Sequence, residues 1–150
     1  MKNIKKVMAA LDLSEFSKKT LEYAVDLAGE SKAELVIVHV ITQRQLDAHE
    51  QHLAKEVDLY SDEFIKKLME LRGKQIQDLI QLCSGQNLNP RIIFQTGHAF
   101  EGVMDSIVSE KVDLVVMGVK GRGNVGDFLV GSIAERVFRR SPVPVLSVRD

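Results

Sequence analysis

One cysteine (Cys83), three prolines and no tryptophan stand in this 150-residue chain. A lone cysteine excludes an internal disulfide framework and any zinc site built from several thiolates. No apolar run approaches the length of a membrane span, so no membrane partner is expected. Neither sign of charge dominates: Lys plus Arg number 20, Asp plus Glu 21, and the formal net charge is -1. Without a basic excess, no nucleic-acid partner is expected either. Disorder is also excluded, because 45% of residues are hydrophobic and 27% charged, an ordinary globular balance. The length suits one domain over 1–150. The basic opening Met1 to Lys6 resembles the start of a secretion signal. Its apolar stretch, Val7 to Leu11, is short and stops at Asp12, so a cytoplasmic protein is expected.

What is present is an alternation of elements. Ile4 to Leu11 reads as a buried strand. Asp12 or Ser14 is placed to cap the helix that follows. Leu21, Ala24, Val25 and Ala28 share one face of that helix, and Gly29 stands near its expected stop. Leu35 to Ile41 is apolar on both faces, as in a parallel strand covered by helices. Leu53, Val57, Tyr60, Phe64, Leu68 and Leu71 step by fours and threes. They predict a long amphipathic helix over roughly 47–72, with Gly73 as a possible break. Ile76, Leu79, Ile80 and Cys83 continue an apolar stripe, and Gly85 is a candidate end. Arg91 to Thr96 is a third strand and Gly97-His98 a turn. Val103, Met104, Ile107 and Val108 form a helical stripe. Leu114 to Met117 is a fourth strand. A short helix carrying Ile133, Val137 and Phe138 ends at Ser141-Pro142, and Val143 to Val148 is a fifth strand. The order β-α-β-α-β-α-β-α-β predicts an open, Rossmann-like α/β fold, a five-stranded parallel sheet with helices on both faces. Such sheets bind ligands beyond the carboxyl ends of their strands, where strand order reverses.

Glycine is concentrated in one place. Five of the ten glycines, Gly118, Gly121, Gly123, Gly126 and Gly131, fall within residues 118–131, where even spreading would put about one. Glycine lets main chain approach a ligand closely with its N–H groups exposed. The segment leaves a buried strand and feeds a helix starting near Ser132, where unpaired amides attract anions such as phosphate. Ser132 adds a hydroxyl donor, and Lys120 and Arg122 add positive charge.

Two familiar patterns overlap here and both fail. Gly121 to Gly126 matches G-x-G-x-x-G, but it lies in the last βα unit, not the first. Asp150 is the one acid beyond the next strand. Gly126 to Ser132 has the outline of a Walker A loop but lacks its lysine, and with it the main point charge for the β- and γ-phosphates.

The spacing Gly118-x-x-Gly121, nine residues, Gly131-Ser132 is similar to the nucleotide-binding signature of the universal stress protein family. The resemblance extends to VMAALDLSEFS, LVIVHV, TGHAFEGVMDSI and SIAERVFRRSPVPVLSVR, essentially the whole chain. It implies the fold already expected, of the adenine nucleotide alpha hydrolase-like kind. It also implies a homodimer through the last strand, and bound ATP, or AMP, with Mg2+ as a possible companion. In such a site Asp12 contacts the nucleotide at the end of the first strand. The Val40 main chain meets adenine, Met117 and Gly118 line the nucleotide, and Gly121, Arg122, Gly131, Ser132 and Ile133 surround the phosphates and ribose. Ala10 stands where some relatives have proline, a wall position. The bottom-up reading agrees: an ionised Asp12 only accepts, so it suits a ribose hydroxyl or a metal-bound water.

Other polar residues carry less. His49 and His52 lack a third ligand fixed by spacing, and they read as surface histidines. His39 reads as a satisfied imidazole in an apolar strand. His98, at a strand end, approaches the cleft at most. Cys83 reads as a small buried hydrophobe, and Arg136, Arg139 and Arg140 as complements to a helix C-terminus. No catalytic residue is assigned, since no Ser/His/Asp arrangement or carboxylate pair is present. Pro142 and Pro144 place the last strand at a sheet edge, and pairing with a second copy through Val143–Val148 would hide that edge. Three functions remain open. One is an ATP-binding module of stress response and signalling whose downstream partner the sequence does not name. Another is a slow ATPase or autophosphorylating enzyme. The third is a nucleotide-free dimeric interaction protein.

Overall fold

Lys6–Ala10 (β1), Glu34–Thr42 (β2), Arg91–Gly97 (β3), Leu114–Gly118 (β4) and Val145–Val148 (β5) form one sheet in the order β3-β2-β1-β4-β5. Every pairing is parallel. Among the described residues the long helices are Ser17–Ser31 (α1), Asp62–Leu82 (α2), Ala99–Ser109 (α3) and Ser132–Arg140 (α4), and residues 43–46 after β2 are also helical. The computed structural model describes residues 3–46, 62–83, 88–120 and 131–149. The expectations for Leu53, Val57, Tyr60, His49, His52, Gly85, Gly121 and Arg122 lie outside these residues. Among the described residues, no helix is long and apolar enough to cross a membrane.

Strand alternation divides the core in two. Val7, Ala9, Leu35, Ile37 and Val116 face α1 and α2, packing with Leu21, Ala24, Val25, Ala28 and Ile76. Met8, Val36, Val38, Val40, Val115 and Met117 face α3 and α4, packing with Phe100, Val103, Ile107, Ala134 and Val137. Both faces of β1, β2 and β4 are therefore covered, which is why these strands read as continuous apolar runs.

Several boundaries differ from the sequence expectation. Gly29 does not end α1, which runs to Ser31. Lys32 supplies the left-handed cap at φ 54°, its N–H donating to the Ala28 and Gly29 carbonyls. Gly73 does not interrupt α2, because buried Ile76 continues the stripe beyond it. Leu71 and Val108, expected on apolar stripes, are exposed. Each sits about one position round its helix from the buried rows Phe64, Leu68, Ile76 and Val103, Ile107. β5 is shorter than expected, starting at Val145; Pro144 lies just before it and accepts from the Val115 N–H at 3.0 Å. It is an edge strand, as expected, although Pro142 and Pro144 both precede it.

The amino-terminal rim of the sheet carries an ion-pair cluster, at the opposite end of the strands from their carboxyl ends. Arg91 contacts Glu110 and Glu34, and Lys6 Nζ lies 3.5 Å from Glu34 and 3.7 Å from Glu110. The Arg91 guanidinium holds the Glu110 carboxyl below the usual carboxylate range. Exposure limits the value of such pairs.

Gly73 offers a simple check of the helix. A Cβ built there meets the Phe94 ring at 3.7 Å, ordinary contact distance. Gly73→Ala should therefore stabilise the fold by about 0.5–1 kcal/mol, the propensity difference in a helix interior. Urea unfolding monitored by circular dichroism checks this as a rise in midpoint at unchanged slope.

Candidate functional site

The strand order reverses between β1 and β4. α1 leaves β1 toward one face and α4 leaves β4 toward the other. The two connections diverge at the carboxyl ends of the central strands, where a sheet of this topology places its ligand crevice.

Ala10 and Met117 are paired in the β1–β4 register and form the floor. Two residues beyond β1, the Asp12 Oδ1 accepts the Ser14 N–H at 3.0 Å and the Ser17 hydroxyl at 3.3 Å. The expected capping role is thus corrected. Phe16 occupies the N-cap of α1 without a side-chain bond, and Asp12 instead binds the turn ahead of it. These bonds hold the carboxylate at the crevice mouth. Leu13, in the left-handed region at φ 61°, completes the reversal of the chain.

On the β4 side, Gly118 is pressed from two directions. A Cβ there would stand 3.0 Å from the Lys120 carbonyl and 3.3 Å from the Thr20 hydroxyl of α1. Thr20 is itself buried and donates to the Phe16 carbonyl at 3.1 Å. The Val119 carbonyl accepts the Gly131 N–H at 2.8 Å, while the Val119 N–H donates to the Val148 carbonyl at 3.0 Å. One main-chain bond therefore ties the two ends of the glycine-rich segment together and anchors them to β5.

Gly131 is the N-cap of α4, with no side-chain cap, and its carbonyl accepts the Glu135 N–H at 3.0 Å. The amides of Ser132, Ile133 and Ala134 precede the first intrahelical bond and point out of the helix end. Ser132 is exposed there, whereas the Ile133 side chain packs into the core. Ile133 thus offers a ligand chiefly its main-chain N–H. The same holds for Val40, which is 8% exposed. Its side chain contacts α3 at Gly102, where a Cβ would come within 2.7 Å of Val40 Cγ2.

Three cations gather beside the ends of β4 and β5. Lys19, Lys120 and Arg149 line a small cavity of about 10 Å³ with Phe16 and Val148. Lys120 was expected from the sequence; Lys19 and Arg149 are brought in by α1 and β5. Arg136 and Arg139 are otherwise engaged. The Arg136 guanidinium lies 3.9 Å over the Phe100 ring, and Arg139 bonds Glu135 at 2.7 Å. A groove of about 290 Å³ lies on the α2 side of the β1–α1 turn. It is lined by Leu13, Ser14, Gln75, Asp78, Leu79 and Leu82, and the Asp78 carboxylate makes it a poor seat for phosphate.

His98 is exposed beside α3. Cys83 is partly buried, and burial followed by the Glu22 carboxylate pushes its thiol up from the ordinary value. That is the opposite of an activated nucleophile. Among the described residues, no group of three or more His, Cys, Asp or Glu side chains could hold a metal ion. Sequence reasoning missed Ser17, Thr20, Val119 and Gly102. The first two are buried polar residues on an otherwise apolar face, and that mismatch was the available signal. The role of Val119 is a main-chain one and left none.

A family model described as the universal stress protein family matches residues 3–149. The universal stress protein MJ0577 of Methanocaldococcus jannaschii is 25% identical over 97% of this chain and 94% of its own. Its solved structure superposes with a TM-score of 0.77, covering 99% of this chain and 98% of that one. A universal stress protein solved in complex with cAMP superposes with a TM-score of 0.66 at 22% identity, over 98% of each chain. One from Archaeoglobus fulgidus, solved in complex with dAMP, gives 0.61 at 15% identity, again over 98% of each.

Proposed function

The chain belongs to the universal stress protein family, and from that premise we propose that it binds an adenine nucleotide, ATP or AMP, between the β1 and β4 connections. The observation that carries this reading is the cradle after β4. A Cβ at Gly118 would crowd the Lys120 carbonyl at 3.0 Å, Gly131 is clamped to Val119, and the first amides of α4 follow directly. Fixed N–H dipoles at a helix start suit a phosphate tail. Family members solved with cAMP and with dAMP support an adenine nucleotide as the occupant.

In this reading the amides of Ser132 and Ile133 and the Ser132 hydroxyl hold the phosphates, and Gly131, its N–H bonded to the Val119 carbonyl, sets the helix start beside them. Gly121 and Arg122 belong to the same cradle. Asp12 accepts a ribose hydroxyl, the Val40 main chain meets the adenine edge, and Ala10, Met117 and Gly118 form the wall. Mg2+ enters with the triphosphate, which supplies its oxygen ligands. The whole chain acts as one cytoplasmic domain, pairs with a second copy along β5, and changes partner contacts with nucleotide occupancy in a stress response.

A thermal shift with ATP, AMP and cAMP, with and without Mg2+, tests the ligand. A nucleotide at a hundred times its Kd adds about 2.7 kcal/mol, a rise of roughly 6–10 °C in Tm for a chain of this size. Calorimetry on Gly131→Val tests the site. A Cβ there already stands 3.4 Å from the Val119 carbonyl, and the valine methyls then crowd the clamp. ATP affinity should fall at least about tenfold. Unchanged affinity removes the site, and no thermal shift with any nucleotide leaves a nucleotide-free interaction protein.

A further inference from the structure

The last bridge between β1 and β2 is Ala10 with Val38. Past it, the Leu11 N–H still donates to the Val38 carbonyl at 3.0 Å. In a parallel ladder the next rung would run from the Val40 N–H to the Leu11 carbonyl. That carbonyl instead lies 2.8 Å from His39 Nδ1. A carbonyl only accepts, so Nδ1 carries the proton and donates it. The His39 ring is 1% exposed and meets Phe94 edge-on, with centroids 6.1 Å apart. It is a fixed donor, on the α2 face of the sheet. The residue after Leu11 is Asp12, and the residue after His39 is Val40. One hydrogen bond therefore joins the two chain segments expected to hold the nucleoside.

We infer that His39 is a positioning residue for the nucleoside half of the ligand. By drawing the Leu11 carbonyl toward its own face, it parts β1 from β2 one rung early. That turns the Val40 main chain toward the adenine edge and sets the turn from which Asp12 reaches the ribose. The phosphate cradle, built on β4 and α4, does not depend on it. The inference rests on the nucleotide reading above and assigns to it a residue that touches no ligand.

The test compares His39→Leu, which removes the donor, with His39→Asn, whose amide N–H stands near the position of Nδ1. Calorimetry uses AMP and inorganic triphosphate as separate probes. In His39→Leu, AMP affinity should fall about tenfold while triphosphate affinity stays within about twofold of wild type. His39→Asn should restore AMP affinity to within about threefold. A purely structural role would weaken both probes alike, and that result overturns the inference, as does unchanged AMP affinity in His39→Leu. If the wild-type protein binds neither probe, the nucleotide reading itself fails and the inference falls with it. If His39→Leu does not fold, imidazole 15N resonances of the wild-type protein decide. An Nδ1–H signal that moves with AMP and not with triphosphate is expected. An Nε2–H tautomer, or a signal indifferent to AMP, overturns the inference.

Discussion

Replacing Gly118 with valine is expected to weaken ATP binding by at least about tenfold. The first added carbon already stands 3.0 Å from the Lys120 carbonyl and 3.3 Å from the Thr20 hydroxyl. Neither neighbour yields easily. The carbonyl is main chain at the head of the glycine-rich segment, and Thr20 is buried and bonded to the Phe16 carbonyl. Two further methyls force Lys120 outward. Val119 sits between Gly118 and Lys120, so the Val119–Gly131 bond moves with it. The α4 amides then lose their aim at the phosphates. Calorimetric titration with ATP, alongside a denaturant melt to confirm folding, measures the loss. Gly73→Ala is the matched control, since its Cβ meets only the Phe94 ring at contact distance; its ATP affinity should be that of wild type.

Gly102→Val should give the largest loss of stability. A Cβ at Gly102 falls 2.7 Å from Val40 Cγ2 and 3.1 Å from Gln95 Cβ, and both belong to the sheet under α3. Overpacking of this kind costs about 1–3 kcal/mol even for small additions. A branched side chain in the close approach of helix to sheet belongs at or above the upper end. Gain in helix propensity returns less than about 1 kcal/mol. A fall of roughly 6–12 °C in Tm is expected for a chain of this length. The same substitution pushes on Val40, so nucleotide affinity should drop in the fraction that remains folded. Equal stability of Gly102→Val and wild type would mean that α3 does not sit on β2 as described.

The apolar runs at Val7, Leu35 and Leu114 announced covered parallel strands, because a strand buried on both faces has no polar alternation to show. β5 does lie at the sheet edge, but the signal read for it, Pro142 and Pro144, precedes the strand, whose four residues all keep their N–H. Helix ends were less legible. Gly29 looked like a stop, yet Ala28 still had core to meet and Lys32 accepted the left-handed conformation instead. Leu71 and Val108 looked like stripe residues, yet lie about one position round their helices from the buried row. Periodicity locates an apolar face to within about a residue, and only packing decides which residue is its margin.

Within the proposed site, the sequence marked the residues whose type suits the proposed chemistry: Asp12, Gly118, Gly131 and Ser132. It did not mark those that act through position. Val119 contributes a carbonyl and an N–H that every residue but proline has. Thr20 matters because α1 packs it against Gly118, and Gly102 because α3 lies close on Val40. His39 could be assigned to a buried strand from its neighbours, but its donor role depends on which carbonyl β1 brings within 2.8 Å.

The alternation of elements, the single cysteine that excludes an internal disulfide, and the concentration of glycine after the fourth strand were settled by the amino-acid sequence alone, because each depends on residue type and local spacing. The strand order, the point of its reversal and the clamp across the glycine-rich segment were decided by tertiary structure. They depend on which distant main-chain groups meet, and main-chain groups are the same in nearly every residue.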